Sequence, residues 1–167
     1  MENKAKRMAY SSVGIALSVV IMFLGAVLEL GMYASPLIAG MILMFLGTKY
    51  GRKWHLSLYI ATSILSVLLV PHIEANMMFV GFFGWYPIIR PSLQKLPKGI
   101  SFAAKVIIFN LTVIVIEYIV VTVLVPEVLT KWMIAILLVI ANVAFVMYDA
   151  LIPRMERVMK VYAKKLK

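Results

Sequence analysis

The chain has 167 residues, of which 63% are hydrophobic and 14% are charged, and its mean hydropathy is +0.99. This composition excludes an ordinary soluble domain and is typical of an integral membrane protein. Because the chain has no cysteine, disulfides, thiolate metal sites and cysteine nucleophiles are excluded as well. The length indicates one membrane bundle without an appended soluble domain.

Six apolar segments follow one another along the chain, separated by short polar connections. The longer ones reach the roughly 20 residues that cross the hydrocarbon of a bilayer. We predict an all-α integral membrane protein, a six-transmembrane-helix bundle that forms one domain over residues 1–167. The predicted spans are residues 8–30, 36–49, 56–70, 77–89, 100–125 and 132–151.

Two of these segments have features of their own. The first is longer than the apolar core of a signal peptide and is followed by further spans, so we interpret it as a retained helix. The fourth contains Gly81, Gly84 and Pro87. Since proline removes a backbone donor, we predict that this segment is kinked or ends near Pro87.

The residues after the last span, 153–167, form a basic stretch. Its apolar residues follow helical spacing while most of its basic residues lie elsewhere, which predicts an amphipathic helix at the inner membrane surface, continuing from span six after a bend at Pro153. A solvated basic tail that only sets the orientation is the alternative.

The basic residues are distributed unevenly between the two sides of the predicted bundle. Fifteen of the 17 lie in the N-terminal arm, the second and fourth connections and the tail, whereas Lys131 stands alone on the opposite side and Lys105 lies inside span five. By the positive-inside rule, both termini are cytoplasmic. The charge then serves orientation and contact with anionic lipids at the cytoplasmic face, and no nucleic-acid partner is expected. On that side we expect Lys105 to extend to water. Asp149 is expected to pair with Arg154 or Lys53.

The fifth segment carries three polar side chains, Lys105, Asn110 and Glu117. Polar groups at membrane depth are costly and usually face a protein interior or a water-filled cavity. Asn110 and Glu117 are seven residues apart, so they share a helix face that should point inward. Glu117 would face a ligand or ion, or instead pair with Lys131 or a neighbouring helix. Asn110 and Asn142 would bridge spans five and six.

Further polar and aromatic side chains gather on the predicted outer face, where they would form a vestibule over Glu117. Solvated loop positions for His72 and Glu74, and a membrane-interface position for Trp132, are the alternatives. The residues of this vestibule are Glu29, Tyr33, His72, Glu74, Asn76, Lys131 and Trp132.

No catalytic pattern is present. The chain lacks metalloprotease, serine-hydrolase and phosphate-loop motifs, and its two histidines are not spaced as a metal pair. Its seven acids are scattered singly. We therefore predict that the protein is not an enzyme and uses no cofactor or metal.

The first segment has small residues on two faces: Ala9, Ser12 and Ala16 share one, and Ser11, Ser18 and Gly25 recur at heptad spacing. Such residues let another helix approach closely, either within the protein's own bundle or in a partner.

With its six spans, cytoplasmic termini, the small residues of AYSSVGIALS and polar groups on the outer half, the chain resembles the substrate-binding S components of energy-coupling factor (ECF) transporters, which are small prokaryotic membrane proteins. The resemblance implies a multi-pass protein of the plasma membrane that captures a vitamin-like solute and associates with a membrane coupling subunit and two ATPase subunits. It also implies docking through Ala9, Ser12 and Ala16. The implied substrate-binding residues are His72, Glu74, Asn76, Asn110, Glu117, Tyr118, Lys131 and Trp132.

Among the candidate residues the acids Glu29, Glu74 and Glu117 outnumber the single base Lys131, which favours a cationic or amine-bearing solute. The competing hypothesis is a membrane scaffold similar to rod-shape-determining membrane proteins, which would hold partners without binding a solute. A solute binder predicts a closed cavity with Glu117 on its wall, whereas a scaffold predicts a paired or dispensable Glu117 and no pocket.

Overall fold

The structure, a computed structural model, describes residues 4–28, 31, 34–123 and 131–165, and within these ranges it contains helices and no strand. The all-α prediction is therefore confirmed. The helices are α1 (Lys4–Val27), α2 (Ala34–Tyr50), α3 (Arg52–Leu69), α4 (Ile73–Met78), a π-helical turn (Phe79–Phe83), α5 (Tyr86–Leu93), α6 (Lys98–Val123) and α7 (Lys131–Lys165).

Three stretches within the described helices are long and apolar enough to cross a membrane, namely Lys4–Val27, Lys98–Val120 and Leu138–Arg157. Helix α2 is apolar but shorter. These helices are compatible with a membrane protein, while the total of six spans stays a prediction. Helix α7 runs through Pro153 to Lys165, so a helix continues from the predicted sixth span into the basic stretch, as predicted.

The chain divides into two compact units, Met1–Ser92 and Leu93–Lys167. We call them unit 1 and unit 2. In unit 1, helices α1, α2 and α3 pack against one another, and α2 also contacts the π-helical turn. A single residue, Gly51, with φ 96°, separates α2 from α3. Glycine adopts this left-handed conformation without the steric cost that a side chain would add. Helices α2 and α3 therefore run in opposite directions.

The helix packing of unit 1 depends on small residues at the contact surfaces. Ser11, Gly14 and Ser18 form a buried line on α1, and a side chain at Gly40 of α2 would collide with the backbone of Phe83 in the π-helical turn. Close approach of helices through small residues is the usual means of association in membranes, where lipid is as apolar as leucine.

Replacing Gly40 by alanine should therefore destabilise unit 1, because the neighbouring atoms are backbone and cannot move aside. We expect a loss of about 1–3 kcal/mol in the free energy of unfolding, as for overpacked cores, measured by thermal unfolding in detergent. Gly99→Ala is the matched control, since a Cβ at Gly99 meets nothing within 4 Å. Equal unfolding temperatures for the two variants would contradict this packing.

The segment after α3 is helical but broken. Helix α4 passes into the π-helical turn, where the N–H of Gly84 donates to the carbonyl of Phe79 over 2.8 Å, and α5 begins again at Tyr86. Pro87 lies in the first turn of α5, where a missing N–H costs nothing. The fourth segment is irregular as predicted, but the break lies at residues 84–85, and α5 continues through Pro87 to Leu93. The helical stretch extends further on both sides than residues 77–89.

Candidate functional site

The predicted site residues fall into three groups. His72, Glu74 and Asn76 belong to unit 1, whereas Asn110, Glu117, Tyr118, Lys131 and Trp132 belong to unit 2. Glu29, Tyr33 and the side chain of Lys131 lie outside the described part of the chain. The prediction that these residues form one vestibule over Glu117 therefore stays a prediction, and each unit has its own polar centre.

In unit 2, Asn110 and Asn142 form a reciprocal amide pair between α6 and α7. Each Nδ2 donates to the Oδ1 of the other, over 2.8 and 2.9 Å. Each amide also donates to the carbonyl four residues earlier on its own helix, Val106 and Leu138 respectively. The sequence-based expectation that these two residues bridge spans five and six is confirmed.

Two further contacts join the same helices. The rings of Phe109 and Phe145 stack with centroids 4.5 Å apart, and Nζ of Lys105 lies 2.8 Å from Oδ2 of Asp149. Since residue numbers rise along α6 while those of their partners fall along α7, the helices are antiparallel. They are held by an ion pair, an aromatic stack and an amide pair at successive levels.

The expectation that Lys105 extends to water is wrong. Its side chain is 8% exposed and that of Asp149 is 19% exposed, so the ammonium is buried against a carboxylate instead of reaching the surface. Asp149, for which Arg154 or Lys53 was predicted as the partner, pairs with Lys105 in the antiparallel register of α6 and α7. A buried charge requires such a partner to offset its desolvation.

Of the other predicted site residues of unit 2, two are exposed and one is half-buried. Tyr118 is 72% exposed and Trp132 is 79% exposed, which fits aromatic residues that face lipid or the membrane interface. Glu117 is half-buried on α6. A groove of about 530 Å³ runs along α7, and its lining is apolar apart from Asn142. Such a groove suits a hydrocarbon chain better than a polar solute.

Unit 1 contains a second, larger set of buried polar groups. The buried residues of α3 are His55, Leu58, Thr62 and Ser66, which follow one another at helical spacing, so one face of this helix is both buried and largely polar. Polar residues inside membrane bundles usually turn toward the interior and mark functional positions. This face was not among the predictions from the sequence, although a spacing of three and four residues is the signal of a buried helix face.

Several polar atoms of unit 1 are buried without a hydrogen-bond partner among the described residues. They include the hydroxyl oxygens of Ser35 and Thr62, Nδ1 of His72 and Oδ1 of Asn76. The amide Nδ2 of Asn76 donates to the carbonyl of Val70 over 3.0 Å, which holds the side chain in place. A buried polar atom left unpaired costs about 1–3 kcal/mol.

The topology places these atoms toward one end of unit 1, which we call the polar end. Ser35 is near the start of α2, Thr62 is in the second half of α3, and Asn76 is in α4. Because α3 runs antiparallel to α2, the start of α2 and the end of α3 lie on the same side. Helix α4 contacts both α2 and α3.

The stretch that the sequence analysis treated as a polar loop is also more regular than expected. Glu74 and Asn76 lie in helix α4, whose first turn begins after His72. An acidic residue in a first turn interacts favourably with the helix dipole. The broken helix from α4 to α5 is further held by Tyr59 of α3, whose hydroxyl donates to the carbonyl of Val80 over 2.8 Å.

His55 lies one residue before the predicted third span, at the opposite end of α3 from Ser66. It is 4% exposed, packs against Gly47 of α2, and its Nε2 has no partner among the described residues. Burial lowers the pKa of His55 from 6.5 to about 4, because the charged imidazolium is poorly solvated there.

This burial predicts a pH-dependent stability. The folded protein binds fewer protons than the unfolded chain between the two pKa values, so the contribution of neutral His55 is complete above pH 6.5 and is lost as the pH falls toward about 4. We expect a loss of about 2 kcal/mol by pH 5, measured by thermal unfolding in detergent. His55→Gln should reduce this slope and His72→Gln should retain it; an unchanged slope in His55→Gln would contradict the assignment.

On α1, the predicted docking residues Ala9, Ser12 and Ala16 are all exposed, whereas Ser11 and Ser18 are buried. The two small-residue faces found in the sequence thus have different surroundings, since one packs within unit 1 and the other is uncovered. The hydroxyl of Ser12 donates to the carbonyl of Met8, so it adds little polarity to the exposed face.

Comparison with known proteins does not assign the chain to a family: no family model matches it, and neither a curated protein nor a solved structure does.

Proposed function

We propose that the protein is a membrane subunit that binds a small solute, of the kind found as the S component of ECF-type importers. It would cross the membrane six times, with both termini in the cytoplasm. The observation that carries the proposal is the polar end of unit 1, where buried Ser35, Thr62 and Asn76 have polar atoms without partners among the described residues, beside a broken helix. Interrupted helices with free polar groups are typical of solute sites near the membrane midplane.

The six-span topology is supported by the helices themselves. Three of them meet the length and hydropathy required for a crossing. In this proposal α2 supplies the second crossing, residues 56–69 of α3 the third, and the broken stretch of residues 73–93 the fourth. The cytoplasmic position of both termini rests on the distribution of lysine and arginine.

The chemistry of the polar end favours a solute that donates hydrogen bonds. Asn76 Oδ1 accepts hydrogen bonds, and the hydroxyls of Ser35 and Thr62 accept or donate. Glu74 lies in the same helix as Asn76. An amine-bearing, vitamin-like solute satisfies these acceptors and agrees with the excess of acids among the residues predicted from sequence.

The exposed face of Ala9, Ser12 and Ala16 supports association with a coupling subunit through α1. Helix docking in a membrane needs small residues that are accessible, and these three are exposed on a helix of spanning length. In this proposal the coupling subunit and two ATPases use the energy of ATP to reorient the solute-loaded protein.

This partnership is tested by purifying the tagged protein from a detergent extract of its native membrane and identifying the recovered proteins by mass spectrometry. We expect a membrane subunit together with paired ATPases, and a reduced yield of them from Ala16→Leu. Leu17→Ala, at an adjacent exposed position, is the control. Recovery of cell-wall or cytoskeletal proteins without an ATPase would favour the scaffold hypothesis instead.

A further inference from the structure

The end of unit 1 opposite to the polar end carries a group of basic and aromatic side chains in mutual contact. We call it the cationic aromatic cluster, and it comprises Arg7, Tyr10, Lys49, Tyr50 and Trp54. It brings together the start of α1, the end of α2 and the start of α3. None of these residues was singled out as a binding residue from the sequence.

The guanidinium of Arg7 is the centre of the cluster. Its Cζ lies 3.6 Å from the ring centroid of Trp54 and 5.4 Å from that of Tyr50. The indole of Trp54 is fixed in turn, because its Nε1 donates to Oγ of Ser11 over 2.8 Å. Nζ of Lys49 lies 5.2 Å from the ring centroid of Tyr50 and 5.3 Å from that of Tyr10.

This geometry leaves hydrogen-bonding capacity on Arg7. A guanidinium that stacks on a ring uses its flat face, so the N–H groups in its plane are not consumed by the stacking. Nε of Arg7 has no hydrogen-bond partner among the described residues, and neither has the hydroxyl of Tyr50. A planar guanidinium that is held by stacking matches the oxygens of a phosphate, which arginine binds in a bidentate manner.

The charge of this end also calls for an anionic partner. Residues 1–73 include only two acids, Glu2 and Glu29. The basic residues of the N-terminal arm and of the connection between α2 and α3 are Lys4, Lys6, Arg7, Lys49, Arg52 and Lys53. Tryptophan and tyrosine at helix ends are typical of the depth at which lipid headgroups lie.

We propose that the cationic aromatic cluster binds the phosphate of an anionic phospholipid of the inner leaflet, with Arg7 as its main ligand. The inner leaflet is the anionic one, and basic pockets between helices on that side are suited to lipid headgroups. The inference rests on the orientation given in the proposed function, but it does not depend on the binding of any solute.

The test is native mass spectrometry of the full-length protein in a neutral detergent, titrated with phosphatidylglycerol. Arg7→Gln is compared with Lys6→Gln, which removes the same charge from an exposed neighbouring position. We expect the apparent Kd for phosphatidylglycerol to rise about tenfold for Arg7→Gln. This rise should be at least about five times the rise for Lys6→Gln, because Arg7 contributes bidentate contact in addition to its charge. Arg7→Lys, which keeps the charge but not the planar donors, should lose about threefold.

Equal losses in Arg7→Gln and Lys6→Gln, or wild-type affinity in Arg7→Lys, would overturn the proposal. Equal affinity for phosphatidylcholine, whose zwitterionic headgroup has no net charge, would also overturn it, as would full displacement of the lipid by millimolar inorganic phosphate. Solute binding is measured on the same preparations. If the protein binds phosphatidylglycerol as expected but binds no solute, the lipid site is supported and only the proposed solute-binding function is contradicted.

Discussion

Asp149→Asn is expected to lower the unfolding temperature of the protein in detergent by about 10 °C. The substitution leaves the ammonium of Lys105 buried without its carboxylate, whose Oδ2 lies 2.8 Å away in the wild type. Breaking one side of a buried ion pair typically costs about 3–5 kcal/mol, and about 2–4 °C per kcal/mol is usual for a chain of this size. Lys105→Met should have an effect of similar size, because it isolates the carboxylate.

The double variant Lys105→Met with Asp149→Leu removes both charges of the ion pair. It therefore distinguishes the cost of an unpaired buried charge from the cost of lost packing. Since it leaves no buried charge, it should unfold within about 1 kcal/mol of the wild type or be more stable. Lys98→Met is the control for removing a lysine, because Lys98 is exposed at the start of α6. Additive destabilisation in the double variant would show that the two side chains contribute independently.

Thr62→Val is expected to raise stability and weaken solute binding at the same time. The side chain is 0% exposed and its hydroxyl has no partner among the described residues. Valine has nearly the same shape, so the substitution removes an unsatisfied buried group and should stabilise the protein by about 1–3 kcal/mol. If a solute bonds to this hydroxyl, its affinity should fall about tenfold.

Thermal unfolding without solute and calorimetric titration with solute measure the two effects separately. Thr48→Val is the matched control, because Thr48 is exposed and its hydroxyl donates to the carbonyl of Phe45; it should alter neither property by more than about 0.5 kcal/mol. A Thr62→Val protein that is less stable than the wild type would show that the hydroxyl has a structural partner.

The helices of this protein follow closely from its sequence. Gly51 predicts the end of α2 and Pro71 predicts the end of α3. Glycine adopts backbone conformations outside the helical region, and proline lacks the N–H that a helix needs. The irregular fourth segment was predictable from Gly84 and Pro87. The bridge between Asn110 and Asn142 was also predictable, since two amides at similar depth in neighbouring spans have few other partners.

The pairing of Lys105 with Asp149 was not predictable in the same way. Helical periodicity describes which residues share a face of one helix, whereas this contact depends on the register between α6 and α7. Lys105 and Asn110 are five residues apart and their partners Asn142 and Asp149 are seven apart, so no common spacing marks the pairs. The buried position of Thr62 likewise depends on the packing of α3 against other elements.

The proposed solute site contains fewer of the sequence-predicted residues than expected. Asn76 and His72 were identified from the sequence because they are polar residues between apolar segments. Ser35 and Thr62 were not, since hydroxyl residues occur throughout membrane helices and become informative only when their burial and partners are known. Tertiary structure was needed to separate these two from the hydroxyls that bond to their own helix.

The measurement that tests the central proposal most directly is isothermal titration calorimetry of the purified, folded protein with small solutes of defined charge. Choline, thiamine and spermidine serve as amine-bearing or cationic probes, and biotin and nicotinate as anionic ones. At least one cationic probe should bind with micromolar or tighter affinity, about −8 kcal/mol or better, and should bind more weakly to Thr62→Val. Binding of only anionic probes, or of none by a protein that unfolds cooperatively, would contradict the proposal.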